Sequence, residues 1–285
     1  MEIDYRALKR QARQAMRQTH PNSWIVTLTY LLITTGFSLL LDLIPVPAAK
    51  SGISTPIIFL NILYWLYAMV VAFGFTLWCL WTARKLDPGL GSLAQGFSVV
   101  WKVVLMDLGI LLRTALWCLA VSLCVSLLMM PLLNPFAIVA AAVAVPVTAY
   151  IAFLRYSLAP YFLADDPDAG STAAISRSAA AMRGFKFQLF KLDLSFLGWE
   201  LLSSVLASAV VSIFLYRSGL VPPLTADFGT WQQVIGSVNG SLAVGFGTAL
   251  ATLPIRLWVL PYHGVSRALF YNARLQFRRE DSAAA

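Results

Sequence analysis

The chain has 285 residues, 59% of them hydrophobic and only 12% charged, with a mean hydropathy of +0.74. Soluble chains carry about 25% charged residues, so this composition excludes a nucleic-acid enzyme, a disulfide-stapled secreted domain and a disordered tail. The net charge of +8 raises the question of a nucleic-acid partner, but the cations lie mostly between apolar runs, and no nucleic acid is expected.

Residues 1–23 come first. Tyr5, Leu8, Ala12, Ala15 and Met16 fall on one helical face and Arg6, Arg10, Arg13 and Arg17 on the other, the pattern of an amphipathic cytoplasmic helix. It should lie on an anionic inner leaflet, where each Lys or Arg is worth about 1 kcal/mol; a partner-binding helix is the alternative. The first span runs over about 24–43, from Trp24 to Leu43, with Asp42 at its outer end. Val46-Pro47-Ala48 faintly resembles a cleavage site, but the uncharged run from Gln18 to Leu41 is too long for a signal sequence. Pro45 to Pro56 then leads into a second span, about 57–81.

Thr114 to Leu154 is uncharged for 41 residues, more than one span needs. Met130-Pro131-Leu132-Leu133-Asn134-Pro135 supplies turn chemistry in its middle, which divides it into spans of about 99–130 and 136–164. A fifth span covers about 187–216 and a sixth about 234–261, separated by a loop, Arg217 to Trp231, with Pro222-Pro223 and Gly229. Residues 262–285 form a cytoplasmic tail. The fold expected is all-α: a single integral membrane domain, a polytopic bundle of six transmembrane helices with cytoplasmic amphipathic helices. Cys79, Cys118 and Cys124 sit inside apolar runs and read as small core hydrophobes.

Orientation follows from the cations. Sixteen of the 21 Lys and Arg lie on one side, in the N-terminal segment, the second-to-third and fourth-to-fifth connections and the tail. Only Lys50 and Arg217 lie on the other side, and Arg113, Arg155 and Arg256 lie within spans. Both termini are therefore expected in the cytoplasm, with the protein multi-pass in a bacterial cytoplasmic membrane.

Local matches suggest three helical-hairpin repeats. Arg155 to Tyr161 and Arg256 to Tyr262 share the spacing of Arg, Pro and Tyr, ending in Pro160-Tyr161 and Pro261-Tyr262. Asp87-Pro88 with Gly91-Ser92 and Gly96-Phe97 echoes Asp166-Pro167 with Gly170-Ser171 and Gly184-Phe185. Proline removes an amide, so each helix should kink or end at Pro160 and Pro261; the alternative to a repeat is that membrane helix ends simply favour Pro and Tyr.

Asp107, Arg113, Arg155, Asp193, Glu200 and Arg256 lie within the expected spans, each costing about 2.5–3.5 kcal/mol at a helix centre. At about 1.5 Å per residue, Asp107 and Arg155 are roughly 12–14 Å deep, Arg113 and Glu200 roughly 20 Å, and Asp193 and Arg256 roughly 8–9 Å. Matching depths predict three interhelical pairs. Such pairs either fix helix register or line a polar pathway, with Glu200 the best proton carrier.

No enzyme motif is legible. His20 and His263 are the only histidines and have no second ligand at metal spacing. Gly89, Gly91 and Gly96 lack the Lys-Ser or Lys-Thr of a phosphate loop, and Ser195 lacks a His and Asp set. Asp107 and Asp193 match no intramembrane aspartyl motif. No catalytic residue, metal or cofactor is expected.

The stretch Ser157 to Pro167, then Ser176-Arg177-Ser178 and Met182-Arg183-Gly184, then Leu192 to Leu202, resembles the domain-of-unknown-function 975 family. Arg6-Ala7-Leu8-Lys9 with Ala12, and Leu257 to Tyr262 with Phe270-Tyr271, fit the same pattern. The resemblance implies a bacterial multi-pass membrane protein, mostly of Gram-positive lineages, and carries over no catalytic residue. Leu133 to Val147 and Arg217 to Gly240 show no family pattern. The expected role is a non-enzymatic accessory or scaffold component that binds another membrane protein, peptide or lipid. The alternative is a small transporter or channel with a polar path past Glu200, Arg113 and Arg155.

Overall fold

The computed structural model describes residues 4–43, 55–129, 136–221, 223 and 227–284. Most of the connection Pro45 to Pro56, Lys50 included, the turn Met130 to Pro135, and Pro222 lie outside the described residues. Among the described residues there is no strand, and six helical stretches are long and apolar enough to cross a membrane. The chain is an all-α membrane protein.

Helix α1 (Tyr5–Gln18) is capped by Asp4, whose side chain accepts from the Arg6 amide. Its Leu8, Ala12 and Ala15 are buried, and Arg6, Arg10, Arg13 and Arg17 are exposed. The first span is α2 (Ser23–Leu31), a π-helical turn (Leu32–Gly36) and α3 (Phe37–Asp42). Tyr67 and Tyr64 of the second span, α4 (Thr55–Ala83), donate to the carbonyls of Ile33 and Thr34 in that turn, each at 3.3 Å. The third span enters through α5 (Ser92–Gln95) and a 3-10 turn (Gly96–Val99) before α6 (Val100–Met129). Here α4 and α5 meet backbone to backbone: a Cβ on Gly74 would strike the Leu93 carbonyl, and one on Gly96 the Val70 carbonyl. Small residues at such crossings let membrane helices approach closely.

The remaining spans are interrupted, the fourth beside Pro160, where a kink or an end was expected, and the other two where continuous helices were expected. The fourth is α7 (Phe136–Tyr156), a break at Ser157-Leu158, and α8 (Ala159–Asp165). A 3-10 turn (Pro167–Ala169) and α9 (Gly170–Ala181) follow. The expected 187–216 span is α10 (Lys186–Leu194) and α11 (Leu197–Ser218), broken at Ser195-Phe196. The expected 234–261 span is likewise two elements, α12 (Phe228–Asn239) and α13 (Leu242–Ala284), divided at Gly240-Ser241. Helix α13 runs on through Pro254 and Pro261, so the expected tail from 262 continues the last helix. Pro160 opens a helix after a break, whereas Pro261 sits inside one; the shared Arg, Pro and Tyr spacing therefore serves two different local structures.

The buried core gathers at one end of the bundle. It joins α1, the second half of α4, the first two turns of α6, the end of α7, all of α8, α9 and α10, and Val259 to Tyr271 of α13. Beyond Met106 no described residue of α6 is buried, and α11 buries only Ser203.

Candidate functional site

Each helix break exposes backbone groups that need partners, and the sequence supplies them. At the α7–α8 break, Ser178 Oγ accepts from the Leu158 amide at 3.2 Å and donates to the Arg155 carbonyl at 3.1 Å. At the α10–α11 break, Lys9 Nζ donates to the Ser195 carbonyl at 3.3 Å and to its Oγ at 3.1 Å, and lies 4.3 Å over the Phe196 ring. A cation there suits the negative end of α10. Burial, then the neighbouring Arg13 charge, lowers the Lys9 pKa. Arg13 Nε donates to Tyr262 Oη at 2.9 Å, so α1 is tied to both α10 and α13.

Two carboxylates act as clamps in this layer. Asp193 accepts from Arg267 Nε at 3.0 Å and Nη2 at 2.7 Å, with His263 Nε2 at 2.8 Å. Burial pushes the Asp193 carboxyl up, but the hydrogen bonds from His263 and Arg267 outweigh it and hold the group below the usual carboxylate range. Asp165 takes Arg84 in a two-pronged bond of 2.6 and 2.8 Å and accepts from Tyr271 Oη at 2.7 Å. Arg84 also donates to Asn272 at 3.2 Å. Bidentate Arg–carboxylate pairs fix geometry as well as adding energy, and these two hold α4, α8 and α10 against α13.

A polar cavity lies beside this clamped layer, among the spans. Tyr30, Leu31, Thr34 and Thr35 of the first span, Tyr64 and Ala68 of α4, Glu200 and Ser203 of α11, and Ile255, Arg256, Val259 and Leu260 of α13 enclose a cavity of about 360 Å³. Leu31, Thr35 and Arg256 also border an apolar groove of about 190 Å³, which Leu28, Leu32, Gly36, Leu39, Phe246, Ala249, Leu250 and Leu253 complete. The π-helical turn forms one wall of both, a local geometry frequent at functional sites.

The three pairs expected from matched depth do not form: no ion pair joins Asp107 to Arg155, Arg113 to Glu200, or Asp193 to Arg256. Asp193 pairs instead with His263 and Arg267, because α13 continues past Pro261 and presents them beside α10. Arg113 turns back to donate to the Gly109 carbonyl of its own helix at 3.1 Å. Asp107 shares a cavity of about 220 Å³ with Thr76, Tyr156, Ser157, Tyr161 and Arg267. Arg155 joins Arg183 and Lys186 around a hollow of about 490 Å³ that no carboxylate lines. Glu200 and Arg256 share a cavity that neither Arg113 nor Arg155 lines. In the helix-end motif, Tyr161 Oη donates to the Gly264 carbonyl at 3.4 Å and Tyr262 Oη accepts from Arg13. Sequence reasoning did not single out Arg267, Asp165, Tyr30 or Tyr64; the one signal for the cavity wall was the polar Thr34-Thr35 pair inside an apolar run.

The family described as protein of unknown function (DUF975) matches residues 1–277. No curated protein and no solved structure matches the chain. The chain belongs to this family.

Proposed function

We propose that the protein is a non-enzymatic accessory or scaffold component of a bacterial cytoplasmic membrane, with both termini cytoplasmic, that binds another membrane protein, peptide or lipid. The observation that carries this reading is the division between a clamped layer of short helices and the nearly unburied third and fifth spans. Asp193 and Asp165 are committed to arginines, which favours positional rigidity over proton transfer. Meanwhile α6 beyond Met106 and most of α11 offer apolar side chains to lipid or to a membrane partner. The hollow among Arg155, Arg183 and Lys186 suits an anionic leaflet on the same side. A path past Glu200, Arg113 and Arg155 gains no support, because the three line different places.

The test is extraction of the tagged protein from its own membrane in mild detergent, followed by native mass spectrometry. A stoichiometric protein, peptide or lipid is expected, and for a partner docked on α1 its loss in the Arg10→Glu, Arg17→Glu double variant, since both side chains are exposed. Recovery of a bare chain that drives flux in liposomes, abolished by Glu200→Gln, would overturn the reading in favour of transport.

A further inference from the structure

Glu200 and Arg256 line one cavity yet form no ion pair with each other or with any other described residue. A charge within a span is costly unless something of opposite sign meets it. Glu200 stands exposed in the first turn of α11 and Arg256 exposed within α13, so one ligand that bears both signs can meet the two charges at one place. The polar neighbours Tyr30, Tyr64, Thr34, Thr35 and Ser203 suit a hydrogen-bonding head.

The apolar groove sets the rest of the ligand. It begins at Leu28 and Arg256 and ends at Leu39 and Phe246, about ten residues along two antiparallel helices. At about 1.5 Å per residue that is roughly 15 Å, half of the roughly 30 Å hydrocarbon core. The groove is as long as one leaflet is deep, shares Leu31, Thr35 and Arg256 with the polar cavity, and has Arg256 as the one charge among its lining residues.

We propose that cavity and groove together hold one zwitterionic glycerophospholipid, its phosphate at Arg256, its ammonium at Glu200 and one acyl chain along the groove. This deepens the function proposed above, and rests on its premise that the chain binds a membrane component. An anionic lipid would satisfy Arg256 but set its charge against Glu200, so the site discriminates by repulsion as well as by attraction.

The full chain is delipidated in mild detergent, given equal amounts of phosphatidylethanolamine and phosphatidylglycerol with the same acyl chains, and read by native mass spectrometry. One phosphatidylethanolamine per chain is expected, preferred by about tenfold. Glu200→Gln should reverse the preference and Arg256→Gln should abolish retention. Gly36→Leu guards against misfolding: a Cβ at Gly36 meets nothing within 4 Å, so the added side chain enters the groove and should expel the lipid with the thermal midpoint unchanged. Equal retention of the two lipids, or phosphatidylethanolamine kept undiminished by Gly36→Leu, overturns the proposal. The two failures separate. A protein partner recovered from native membranes beside a chain with no lipid preference sinks the lipid site alone. A chain that recovers no component of any kind sinks the accessory reading as well.

Discussion

Arg267 on α13 reaches back 74 residues to grip both oxygens of Asp193 on α10, at 3.0 and 2.7 Å. The Asp193 side chain is only 10% exposed, so Asp193→Asn leaves a guanidinium without its counter-charge. A loss of about 3 kcal/mol is expected, read as a lowered thermal midpoint in detergent. Arg267→Lys keeps the charge but loses the two-pronged geometry and should incur only part of that loss. Full stability in Asp193→Asn would show that the clamp is incidental.

Acid should loosen the same layer. Asp193 lies outside the six spans and is held below the usual carboxylate range, as is Asp166, where the Arg177 hydrogen bond and then the Ala169 amide lower it. A carboxyl whose folded pKa is depressed contributes stability that is complete above its unfolded pKa, about 3.9 for Asp. That contribution is lost as pH falls through the folded value. The thermal midpoint should be level above about pH 5 and drop below about pH 4, with a shallower drop in Asp193→Asn. Equal acid slopes in the two proteins would remove Asp193 from the cause.

The α4–α5 contact has no room for a methyl group at Gly74 or Gly96. Each Gly→Ala change should cost roughly 1–3 kcal/mol by overpacking, whereas Gly36→Ala and Gly198→Ala, with open space at the same atom, should be tolerated. Thermal midpoints of the four variants rank the two classes; overlap between them would contradict the close approach.

Lys9→Met removes the cation that closes the α10–α11 break, and Tyr262→Phe removes the acceptor of Arg13. Both should free α1 without unfolding the spans. Hydrogen exchange should quicken across Tyr5–Gln18 by about tenfold and stay unchanged in α13. Uniform acceleration along the chain would instead mean that α1 is part of the global fold.

The cation distribution predicts that reporters fused at either terminus report the cytoplasmic side, and that one inserted between 219 and 227 reports the opposite side. Either terminus found outside would reverse the orientation.

Hydropathy and charge spacing made the six spans legible, because both depend on composition over about 20 residues. Pro160 announced the break beside it in the fourth span, but those at Ser195 and Gly240 were not legible: neither interrupts an apolar run with a charge, and Lys9, the partner that stabilises the first of them, is distant in sequence. Pairing by depth failed for a geometric reason. Depth fixes one coordinate, and rotation about the helix axis, which decides what a side chain faces, fixes another. Arg113 satisfies itself on its own helix, and Asp193 finds its partner in a stretch assigned to the tail. Glu200 and Arg256 were each singled out for their burden of charge, but their common cavity required knowing that α11 and α13 flank the π-helical turn.

The contacts of α1 also order events in time. Lys9 binds Ser195, made 186 residues later, and Arg13 binds Tyr262, made 249 residues later. At about 5–20 residues per second, α1 waits roughly 10–40 s for the first of these partners. Until then its apolar face needs another cover, and the bilayer surface beside the emerging chain is the nearest one. A late act of assembly is then performed by a segment made long before its partners, and a chain released short of α13 leaves it undocked from that helix.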